Sequence, residues 1–596
     1  MKKLVELTSI KKSRNRFIVL AYLMIAGIAI VTFGLGWVQV IKGDIYKKKA
    51  RAQQRKIVVE KAARGNIYDR NGKELTRNST SYELWFSDYD IVLKGNDKQQ
   101  REKKKLEYIK KAVPLIEQDT KKQNDLYNKL VNVRNRYKIK SGIGDKLRAT
   151  FKQNPIPGFS IEKHSKRVYP MGTFLANTLG FVNSNGDPQS GIELAYNEVL
   201  SGTPGKKIYE GDSSGNNLEQ GEKKIYKPKN GKGLVLTIDE VIQNYCERAA
   251  NRVKKKSAAD NVYCVMMNPK NGDVLGLAVT PSYDPNHPKK LTGEYKSQAN
   301  KKNLFKIYNS MWKNPVVSNL YEPGSTFKLI SAAIALQEGK ISQGERFYCA
   351  GKIKIADAVL KCWYYPKAHG SQTFAQAVAN SCNPAFVNIA NRIGKEKYRD
   401  YLDLFGITQK TGIGLPGEGS AIVRSKKEIG PVELSTMGYG HGIALTPIQL
   451  ATAISSFGND GVLMKPRLVK GYADSKGKLI KKFAPESIRK VISKRTADRI
   501  KLLMEEVVDK GSGQNAKIKG YRIGGKTGTT LKTKGHGYGK KVFASFVGMA
   551  PIDDPKICLL VVLDNPANGA SGSLSAGPAA KEILENTLKY MLVKPK

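Results

Sequence analysis

The strongest hydrophobic signal in this sequence is a continuous apolar run over residues 17–41, interrupted only by small residues, Thr32 and Gln39. About 20 apolar residues suffice to cross a bilayer as a helix, so the run predicts a transmembrane helix. A cleaved signal peptide would have a shorter apolar core and a small-residue cleavage site, and we find no convincing site. We therefore expect an uncleaved membrane anchor behind a cytoplasmic tail, residues 1–16.

Basic residues flank both ends of this run, so the positive-inside rule does not fix its orientation. Long C-terminal domains are translocated regardless of charge, and the sequence shows no second span. We place the large C-terminal part outside the cytoplasm, as in a single-pass cell-membrane protein. The reverse orientation is the alternative.

Residues 42–230 have the pattern of a β-rich domain without a catalytic cluster. Ile57–Val59 is typical of a strand, and Asn71-Gly72 is a strong hairpin-turn signal. Residues 85–160 are rich in Lys, Asn, Asp and Gln with helical runs, and they predict a polar insertion. We interpret the region as an elongated pedestal that ends in a polar, Gly-rich stretch, residues 206–232.

From Gly233 onward the pattern predicts an α+β domain, residues 231–596. A strand over 234–238 is followed by Asp239, which can cap a helix over 240–256. Helical patterns dominate the middle of the domain, and a closing helix is predicted at 579–592. Further strands are predicted at residues 262–267, 274–279, 522–529, 542–550 and 557–563. Strands at both ends predict an antiparallel sheet closed by the terminal segments, beside a helical lobe.

Composition and charge narrow the class of protein. A chain of 596 residues with 40% hydrophobic residues can form two or three domains with ordinary cores. The net charge of +49 fits a solvated lysine-rich surface, or a neighbouring anionic membrane or acidic polymer. We find no zinc-finger, helix-turn-helix or RNA-binding pattern and expect no nucleic-acid partner. Six cysteines in this length do not make a disulfide scaffold.

One stretch, residues 321–328, predicts a reactive serine. Pro323-Gly324 breaks the backbone immediately before a helix with apolar periodicity. Ser325 and Lys328 would share one face of that helix, because positions three apart are neighbours. A lysine desolvated beside a second cation can take the proton of the serine hydroxyl. Unpaired N–H groups at the helix start would face a developing oxyanion.

Two further motifs follow in order, Ser381-Cys382-Asn383 and Lys526-Thr527-Gly528-Thr529. Each motif type has decoys in this chain. Ser214-Gly215-Asn216 precedes the domain, and Lys410-Thr411-Gly412 lies in a predicted loop. The copy at Lys526 is predicted on a strand, whose lysine and threonine can line a cleft and bind a carboxylate. The ordered triple is therefore far more specific than any one motif.

The ordered triple resembles the motifs of the penicillin-binding protein and serine β-lactamase superfamily. The resemblance to class B penicillin-binding proteins extends to other segments, at residues 64–72, 167–172, 191–194, 236–239 and 438–443. It covers nearly the whole chain outside residues 85–160. It implies a C-terminal β-lactamase-like transpeptidase domain with a five-stranded antiparallel sheet and a helical lobe. We find no preceding glycosyltransferase pattern, which disfavours class A.

This resemblance implies a serine-type D-Ala-D-Ala transpeptidase that crosslinks peptidoglycan stem peptides through an acyl-serine. Ser325 would attack the carbonyl between the two D-alanines, and Lys328 would take its proton. Ser381 and Lys526 would relay the proton to the leaving amine. β-Lactams would acylate the same serine.

The resemblance also implies the substrate-binding groups. Asn383 would hold the substrate amide. The strand at Thr527-Gly528-Thr529 would bind the terminal carboxylate through its two threonines. Backbone N–H groups of Ser325 and Thr529 would form the oxyanion hole.

A possible metal centre adjoins the second motif. Cys349, Cys362, His369 and Cys382 are spaced Cys-x12-Cys-x6-His-x12-Cys, and three thiolates with one imidazole suit a closed zinc site. The loop over 351–363 has little core of its own and would benefit from a structural Zn²⁺. A Cys349–Cys362 disulfide and free buried thiols are the alternatives, and Asp357 could replace one ligand.

Two other sets of reactive side chains are interpreted as structural. Cys246, Cys264 and Cys558 lie on apolar helix or strand patterns and are expected to be buried and inert. His441, in Gly440-His441-Gly442, is expected to pack or hydrogen-bond near the cleft floor rather than to catalyse.

Other functions remain open on the same fold. A D,D-carboxypeptidase or β-lactamase would need an activated water, and no extra glutamate motif after Ser381-Cys382-Asn383 plainly supplies one. A non-catalytic β-lactam sensor or scaffold is disfavoured by the intact triple. The resemblance implies a polytopic membrane glycan polymerase as partner. The Cys362-Trp363 and Ser381-Cys382-Asn383 details lean towards elongation-type or spore-type relatives.

Overall fold

The computed structural model describes residues 2–91, 98–210, 223–342, 344–535 and 537–595. They form two compact units, one of residues 1–63 and 202–230, the other of residues 64–201 and 231–596. The decoy Ser214-Gly215-Asn216 and part of the predicted boundary stretch lie outside the described residues. The domain bounds given by the sequence, 17–41, 42–230 and 231–596, stay predictions.

The described strands are short outside the hairpins and the central sheet. In chain order they are β1 (Arg55–Glu60), β2 (Ile67–Tyr68), β3 (Glu74–Ser87), β4 (Arg136–Ser141), β5 (Phe159–Val168), β6 (Gly205–Glu210), β7 (Lys223–Tyr226), β8 (Gly233–Leu236), β9 (Asn261–Met267), β10 (Val274–Thr280), β11 (Arg346–Cys349), β12 (Lys352–Ile355), β13 (Ala358–Lys361), β14 (Gly370–Thr373), β15 (Val462–Met464), β16 (Val469–Ala473), β17 (Leu479–Lys482), β18 (Ser487–Lys490), β19 (Gly524–Lys534), β20 (Gly537–Ala550) and β21 (Ile557–Asp564).

The described α-helices are concentrated between β10 and β19. In chain order they are α1 (Lys2–Gly36), α2 (Gly43–Gln54), α3 (Lys98–Ile116), α4 (Thr120–Val131), α5 (Asp145–Gln153), α6 (Ala176–Leu179), α7 (Gly191–Ala195), α8 (Asn197–Ser201), α9 (Glu240–Ser257), α10 (Gly293–Gln298), α11 (Leu304–Trp312), α12 (Pro315–Ser318), α13 (Lys328–Gln337), α14 (Phe374–Ala379), α15 (Asn383–Ile393), α16 (Lys395–Leu404), α17 (Pro431–Met437), α18 (Pro447–Ser455), α19 (Lys494–Asp509) and α20 (Gly577–Tyr590).

The first unit contains the apolar N-terminal helix and a small sheet. α1 continues into a π-helical turn, Trp37–Ile41. Among the described residues, Arg14–Ile41 is the one helical segment long and apolar enough to cross a membrane. The predicted strand at Ile57–Val59 is confirmed as part of β1, which pairs with β6, and β6 pairs with β7.

The second unit begins with a sheet ordered β17-β16-β8-β2-β3-β4, in which β5 also pairs with β3. The predicted hairpin at Asn71-Gly72 is confirmed, because β2 and β3 are antiparallel and Gly72 has φ +89°. The strand predicted at 234–238 forms as β8. It pairs in parallel with β2 and lies in this sheet, not in the five-stranded one, because its residues are buried between β2 and β16.

A buried ion-pair network fixes the segments behind this sheet. The Glu193 carboxylate is fully buried and accepts hydrogen bonds from Arg64 Nε at 2.6 Å and Arg167 Nε at 2.7 Å. Three stretches distant in sequence meet at this one carboxylate.

The polar insertion has small cores of its own. Phe86 and Phe159, on β3 and β5, lie with their rings 5.0 Å apart beneath α3 and α4. Lys105 is buried with them, and its ammonium lies 3.2 Å from Asp88 and donates to the Val133 carbonyl. The insertion is therefore packed, although its surface is polar.

The central sheet is ordered β10-β9-β21-β20-β19, with every neighbouring pair antiparallel. This confirms the expected five-stranded antiparallel sheet. Alternate residues of β21 face opposite cores, since Leu559 and Val561 pack with α9 and α20 while Leu560 and Val562 pack with the helical lobe. Asp239 caps α9 by accepting from the Val241 and Ile242 N–H groups, as predicted.

Candidate active site

The serine predicted to be the nucleophile lies on a turn held against the edge strand β19. Gly324–Phe327 form a 3₁₀ turn that leads into α13, so Ser325 precedes the α-helix rather than lying inside it. Gly324 has φ +55°, and a Cβ there would lie 1.9 Å from Thr530 Oγ1, so this position requires glycine. Ser325 is half-buried, and within the described residues its hydroxyl makes no hydrogen bond.

Lys328 is fully buried and contacts the second motif. Its Nζ lies 2.6 Å from the Ser381 backbone oxygen, 3.1 Å from Ser381 Oγ and 2.7 Å from Asn383 Oδ1. Burial lowers the pKa of Lys328 to about 7, because the charged form loses its hydration. A substantial fraction of the amine is then neutral near pH 7 and can accept a proton.

The backbone around Ser381 aims its side chain at Lys328. Ser381 has φ +54°, a left-handed conformation uncommon for a residue with a side chain, between the end of α14 and the start of α15. Asn383 begins α15, and its Nδ2 donates to the Lys361 carbonyl at 3.0 Å. This second hydrogen bond fixes the amide so that its oxygen faces the Lys328 amine.

The third motif lies on β19, beside the nucleophile turn. Lys526 is fully buried, and its Nζ donates to the Thr527 carbonyl at 3.2 Å. Burial, and secondly the charge of Lys328, lower the pKa of Lys526 well below its usual range. A Cβ on Gly528 would lie 3.0 Å from the Pro323 carbonyl, so the strand approaches the turn closely.

Two contacts of this strand were not predicted from the sequence. Thr527 Oγ1 lies 2.8 Å from Ser512 Oγ, and Thr529 Oγ1 accepts from the Gly572 N–H at 3.1 Å. Ser512 lies in a turn and Gly572 begins the π-helical turn Gly572–Ala576, and neither segment has a motif of its own, so the sequence carries no signal for these contacts. The decoy Lys410-Thr411-Gly412 lies in a loop, where Thr411 bonds to Glu418.

The structure brings the four predicted metal ligands together. The ligand atoms of Cys349, Cys362, His369 and Cys382 all lie within 4.8 Å of one another, and Cys362 Sγ is 3.6 Å from His369 Nδ1. The predicted loop over 351–363 is instead a hairpin of β12 and β13. Asp357 is exposed at its tip and is not among the four clustered residues.

Three of the four clustered side chains are cysteine thiols. All six cysteines lie in the described part of the chain, and each is a free thiol there. The hydrogen bond between Cys382 and Cys362 lowers the pKa of Cys362, and the same hydrogen bond, with burial as the second cause, raises the pKa of Cys382. The thiolate form of Cys362 is therefore favoured even without a bound metal ion. Cys246, Cys264 and Cys558 are buried in the core, as predicted.

His441 lies beside the nucleophile turn. Its Nδ1 is 4.0 Å from Glu322 Oε2, and its ring lies 5.1 Å from Tyr439 and 5.5 Å from Tyr538. Burial, and secondly the charge of Lys328, lower the pKa of His441 to about 4. The imidazole is therefore neutral near pH 7.

Family models match most of the chain. The penicillin-binding protein transpeptidase domain matches residues 262–585, and the penicillin-binding protein dimerisation domain matches residues 59–236. All twelve predicted site residues lie within the first of these ranges.

Relatives and solved structures agree with these matches. The chain is 33% identical to stage V sporulation protein D of Bacillus subtilis over 95% of this chain and 84% of the relative. It is 28% identical to the probable peptidoglycan D,D-transpeptidase PenA of Neisseria meningitidis, over 90% and 85%. Penicillin-binding protein 2X of Streptococcus thermophilus superposes with a TM-score of 0.70 at 24% identity, covering 90% of this chain and 80% of that one.

The site consists of a serine on a turn that requires glycine, a buried lysine after it, and a strand beside the turn that carries a second lysine. These features define a serine acyltransferase of the penicillin-binding type. The chain belongs to the class B penicillin-binding proteins. Its activity is that of a serine-type peptidoglycan D,D-transpeptidase.

Proposed function

We propose that Ser325 carries the acyl group in this transpeptidase and that Lys328 is its base. The neutral Lys328 amine takes the Ser325 proton as Oγ attacks the carbonyl between the two D-alanines of a stem peptide. The peptide C–N bond breaks, and Ser381 with Lys526 relays this same proton from Lys328 to the departing D-alanine amine. The observation that carries this proposal is the fully buried Lys328 amine on Ser381 and Asn383.

Peptidoglycan crosslinking follows when a second stem peptide attacks the acyl-enzyme. Its amine forms an amide bond with the acyl carbon, the ester C–O bond breaks, and the proton lost by the amine returns to Ser325 Oγ. Backbone N–H groups of Ser325 and Thr529 stabilise the tetrahedral oxyanion, which the close approach of Gly528 to Pro323 supports. Thr527 and Thr529 hold the terminal carboxylate, and Asn383 holds the donor amide.

We propose a structural Zn²⁺ in the Cys349, Cys362, His369 and Cys382 cluster. Three buried thiols and one imidazole nitrogen within 4.8 Å suit tetrahedral zinc ligation. Cys382 lies between Ser381 and Asn383, so these ligands would hold the two residues that contact Lys328. The ion takes no part in the acyl transfer.

We further propose how the enzyme is anchored, which partner it binds and which cellular role it has. The apolar segment Arg14–Ile41 anchors the chain, and the catalytic domain lies outside the cytoplasm. A polytopic glycan polymerase binds this segment and the pedestal. The likeness to stage V sporulation protein D supports a spore-type role among the roles open to this class.

The test is the intact mass of the detergent-solubilised full chain before and after a fluorescent penicillin. We expect one adduct in the native protein and in Ser342→Ala, a matched exposed serine, and none in Ser325→Ala. A native protein that folds but stays unlabelled would refute the proposal. An adduct that decays within seconds would favour the β-lactamase alternative, and loss of D-alanine from a stem peptide without crosslinking would favour the carboxypeptidase.

A further inference from the structure

A large cavity lies within the second compact unit, between residues of the two matched family domains. Its volume is about 750 Å³. One wall is formed by β3, β5 and the turns that follow β5, and the other by a loop over residues 285–290 together with Trp312. No residue assigned to acyl transfer or to the cysteine cluster is among its described lining residues. The cavity is therefore separate from the active site.

The charged side chains of this cavity are mainly basic. Its charged or titratable lining residues are Glu83, His164, Lys166, Arg167, His287, Lys289 and Lys290, apart from one buried tyrosine. Glu83 is buried, and its carboxylate pairs with Lys138 at 3.1 Å. Lys166, Lys289 and Lys290 are exposed, and none of them forms an ion pair in the part of the chain that the structure describes. Three lysines from the two walls therefore face the cavity without a neutralising carboxylate.

Two further carboxylates lie in the loops of the cavity but do not line it. Asp187 accepts from Asn183 Nδ2 at 3.0 Å. Asp284 accepts from the Asn286 N–H and from Asn286 Nδ2, both at 2.9 Å. These carboxylates stabilise the turns in which they lie. The three lysines outnumber them, so the cavity keeps an excess of positive charge.

The arginine network beneath β5 adds to this excess. Arg64 and Arg167 share the single carboxylate of Glu193, so the three side chains together carry one net positive charge. Arg167 lines the cavity, and its buried Nη2 has no hydrogen-bond partner among the described residues. A concave surface lined by one sign of charge attracts ligands of the opposite sign. The cavity is therefore suited to an anion.

Hydrogen bonds between the walls hold the cavity in shape. Asn286 Nδ2 donates to the Tyr169 carbonyl at 2.9 Å, and Asn286 Oδ1 accepts from the Tyr169 N–H at 3.0 Å. Trp312 Nε1 donates to the Pro288 carbonyl at 2.8 Å. The loop that carries two of the lysines is thus fixed at both sides before any ligand binds. A preformed site loses little conformational entropy on binding.

The uncharged lining groups narrow the class of anion. The hydroxyls of Ser81, Ser165 and Ser184 line the cavity, and within the described ranges none of them makes a hydrogen bond. Free hydroxyls can bond to ligand hydroxyls, and lysine ammonium groups bind phosphate oxygens as point charges. A chain of polyols joined by phosphodiesters presents both groups in regular alternation. An acidic peptide presents carboxylates with few hydroxyls. Complementarity therefore favours the polyol-phosphate chain.

We propose that this cavity binds a segment of a polyol-phosphate polymer outside the cytoplasm. Lys166 on one wall and Lys289 with Lys290 on the other contact successive phosphates, and the serine hydroxyls contact the polyol units. This inference rests on the proposed extracytoplasmic placement and not on the role of Ser325. The bound polymer keeps the enzyme beside an anionic component of the wall and leaves the acyl-transfer residues free.

The test measures binding of a fluorescent glycerol-phosphate oligomer to the full chain in detergent, by fluorescence anisotropy at about 0.15 M salt. We expect Lys289→Gln with Lys290→Gln to raise the Kd about tenfold, a few-fold for each exposed ionic contact. Lys166→Gln, on the opposite wall, should raise it about threefold. The matched control is Lys301→Gln with Lys302→Gln, an exposed pair outside the lining, which should keep the native Kd.

The control separates this site from the general positive charge of the protein. Equal weakening in the two double variants would overturn the site, because the oligomer would then bind the surface non-specifically. Equal affinity for polyglutamate of the same charge would overturn the polyol-phosphate and favour an acidic peptide. Equal affinity for glycerol 3-phosphate would indicate a single phosphate, free or in a lipid headgroup, and would overturn the polymer. Unchanged penicillin labelling of every variant verifies folding.

Discussion

The Lys328 amine lies 2.6 Å from the backbone oxygen of Ser381 and 3.1 Å from the hydroxyl of the same residue. The carbonyl oxygen and Asn383 Oδ1 can only accept, whereas the hydroxyl can also donate. The charged amine satisfies all three contacts by donating, and the neutral amine keeps them by donating twice and accepting from the Ser381 hydroxyl. The geometry agrees with the lowered pKa, and it leaves the amine ready to exchange a proton with a serine.

The first prediction concerns the pH dependence of acylation. The folded pKa of Lys328 is lowered to about 7, and the reactive form is the neutral amine. The acylation rate should therefore rise with pH and be half-maximal near pH 7. Stopped-flow labelling with a fluorescent penicillin measures this rate. A rate that is flat from about pH 5.5 to 8.5 would show that Lys328 is not the titrating base.

The second prediction concerns replacement of the amide that faces Lys328 by a carboxylate. Asn383→Asp puts a carboxylate where Oδ1 lies 2.7 Å from the amine, and this carboxylate would stabilise the ammonium. We expect the half-maximal pH to rise by at least about one unit and the rate at pH 7 to fall about tenfold or more. Asn391→Asp, at an exposed position of the same helix, should leave the profile unchanged. A fall in rate at every pH without a shift would mean that Asn383 acts only on the substrate.

Much of this site could be predicted because its chemistry is local in sequence. Ser325 and Lys328 are neighbours on one turn, and the cysteine spacing anticipated the cluster that forms. The 3₁₀ geometry of the turn could not be predicted, because it depends on Gly324 packing against Thr530, over 200 residues away. Ser512 and Gly572, the partners of Thr527 and Thr529, lie in a turn and at the start of a π-helical turn, and neither segment carries a periodic pattern.

The fold shows the same division between local and distant determinants. Strands β9, β10, β20 and β21 of the central sheet follow from apolar runs, and the helix cap at Asp239 follows from one side chain. The sequence does not predict which sheet β8 joins, since its four apolar residues fit either sheet equally well. Pairing with β2 determines which sheet β8 joins, and this contact spans more than 160 residues of sequence.

The third prediction concerns the buried network of the pedestal. Glu193→Gln removes the charge that two arginines share at 2.6 and 2.7 Å, and it leaves both guanidinium groups buried. Breaking a buried pair in this way costs about 3–5 kcal/mol, so the melting temperature should fall. Glu198→Gln, an exposed residue on the adjacent helix, should have little effect. Equal melting temperatures for the two variants would show that the network contributes no net stability.

The fourth prediction tests the metal cluster. Purified full-length protein should contain about one zinc per chain by elemental analysis, because four ligand atoms within 4.8 Å suit one tetrahedral ion. Cys362→Ser should lose the metal, lower the melting temperature and slow penicillin acylation, since Cys382 anchors Ser381 and Asn383. Cys264→Ala, a buried cysteine on β9, should keep the metal. Native protein without metal and lighter by two protons would instead support the Cys349–Cys362 disulfide, and unchanged metal in Cys362→Ser would place the ion elsewhere.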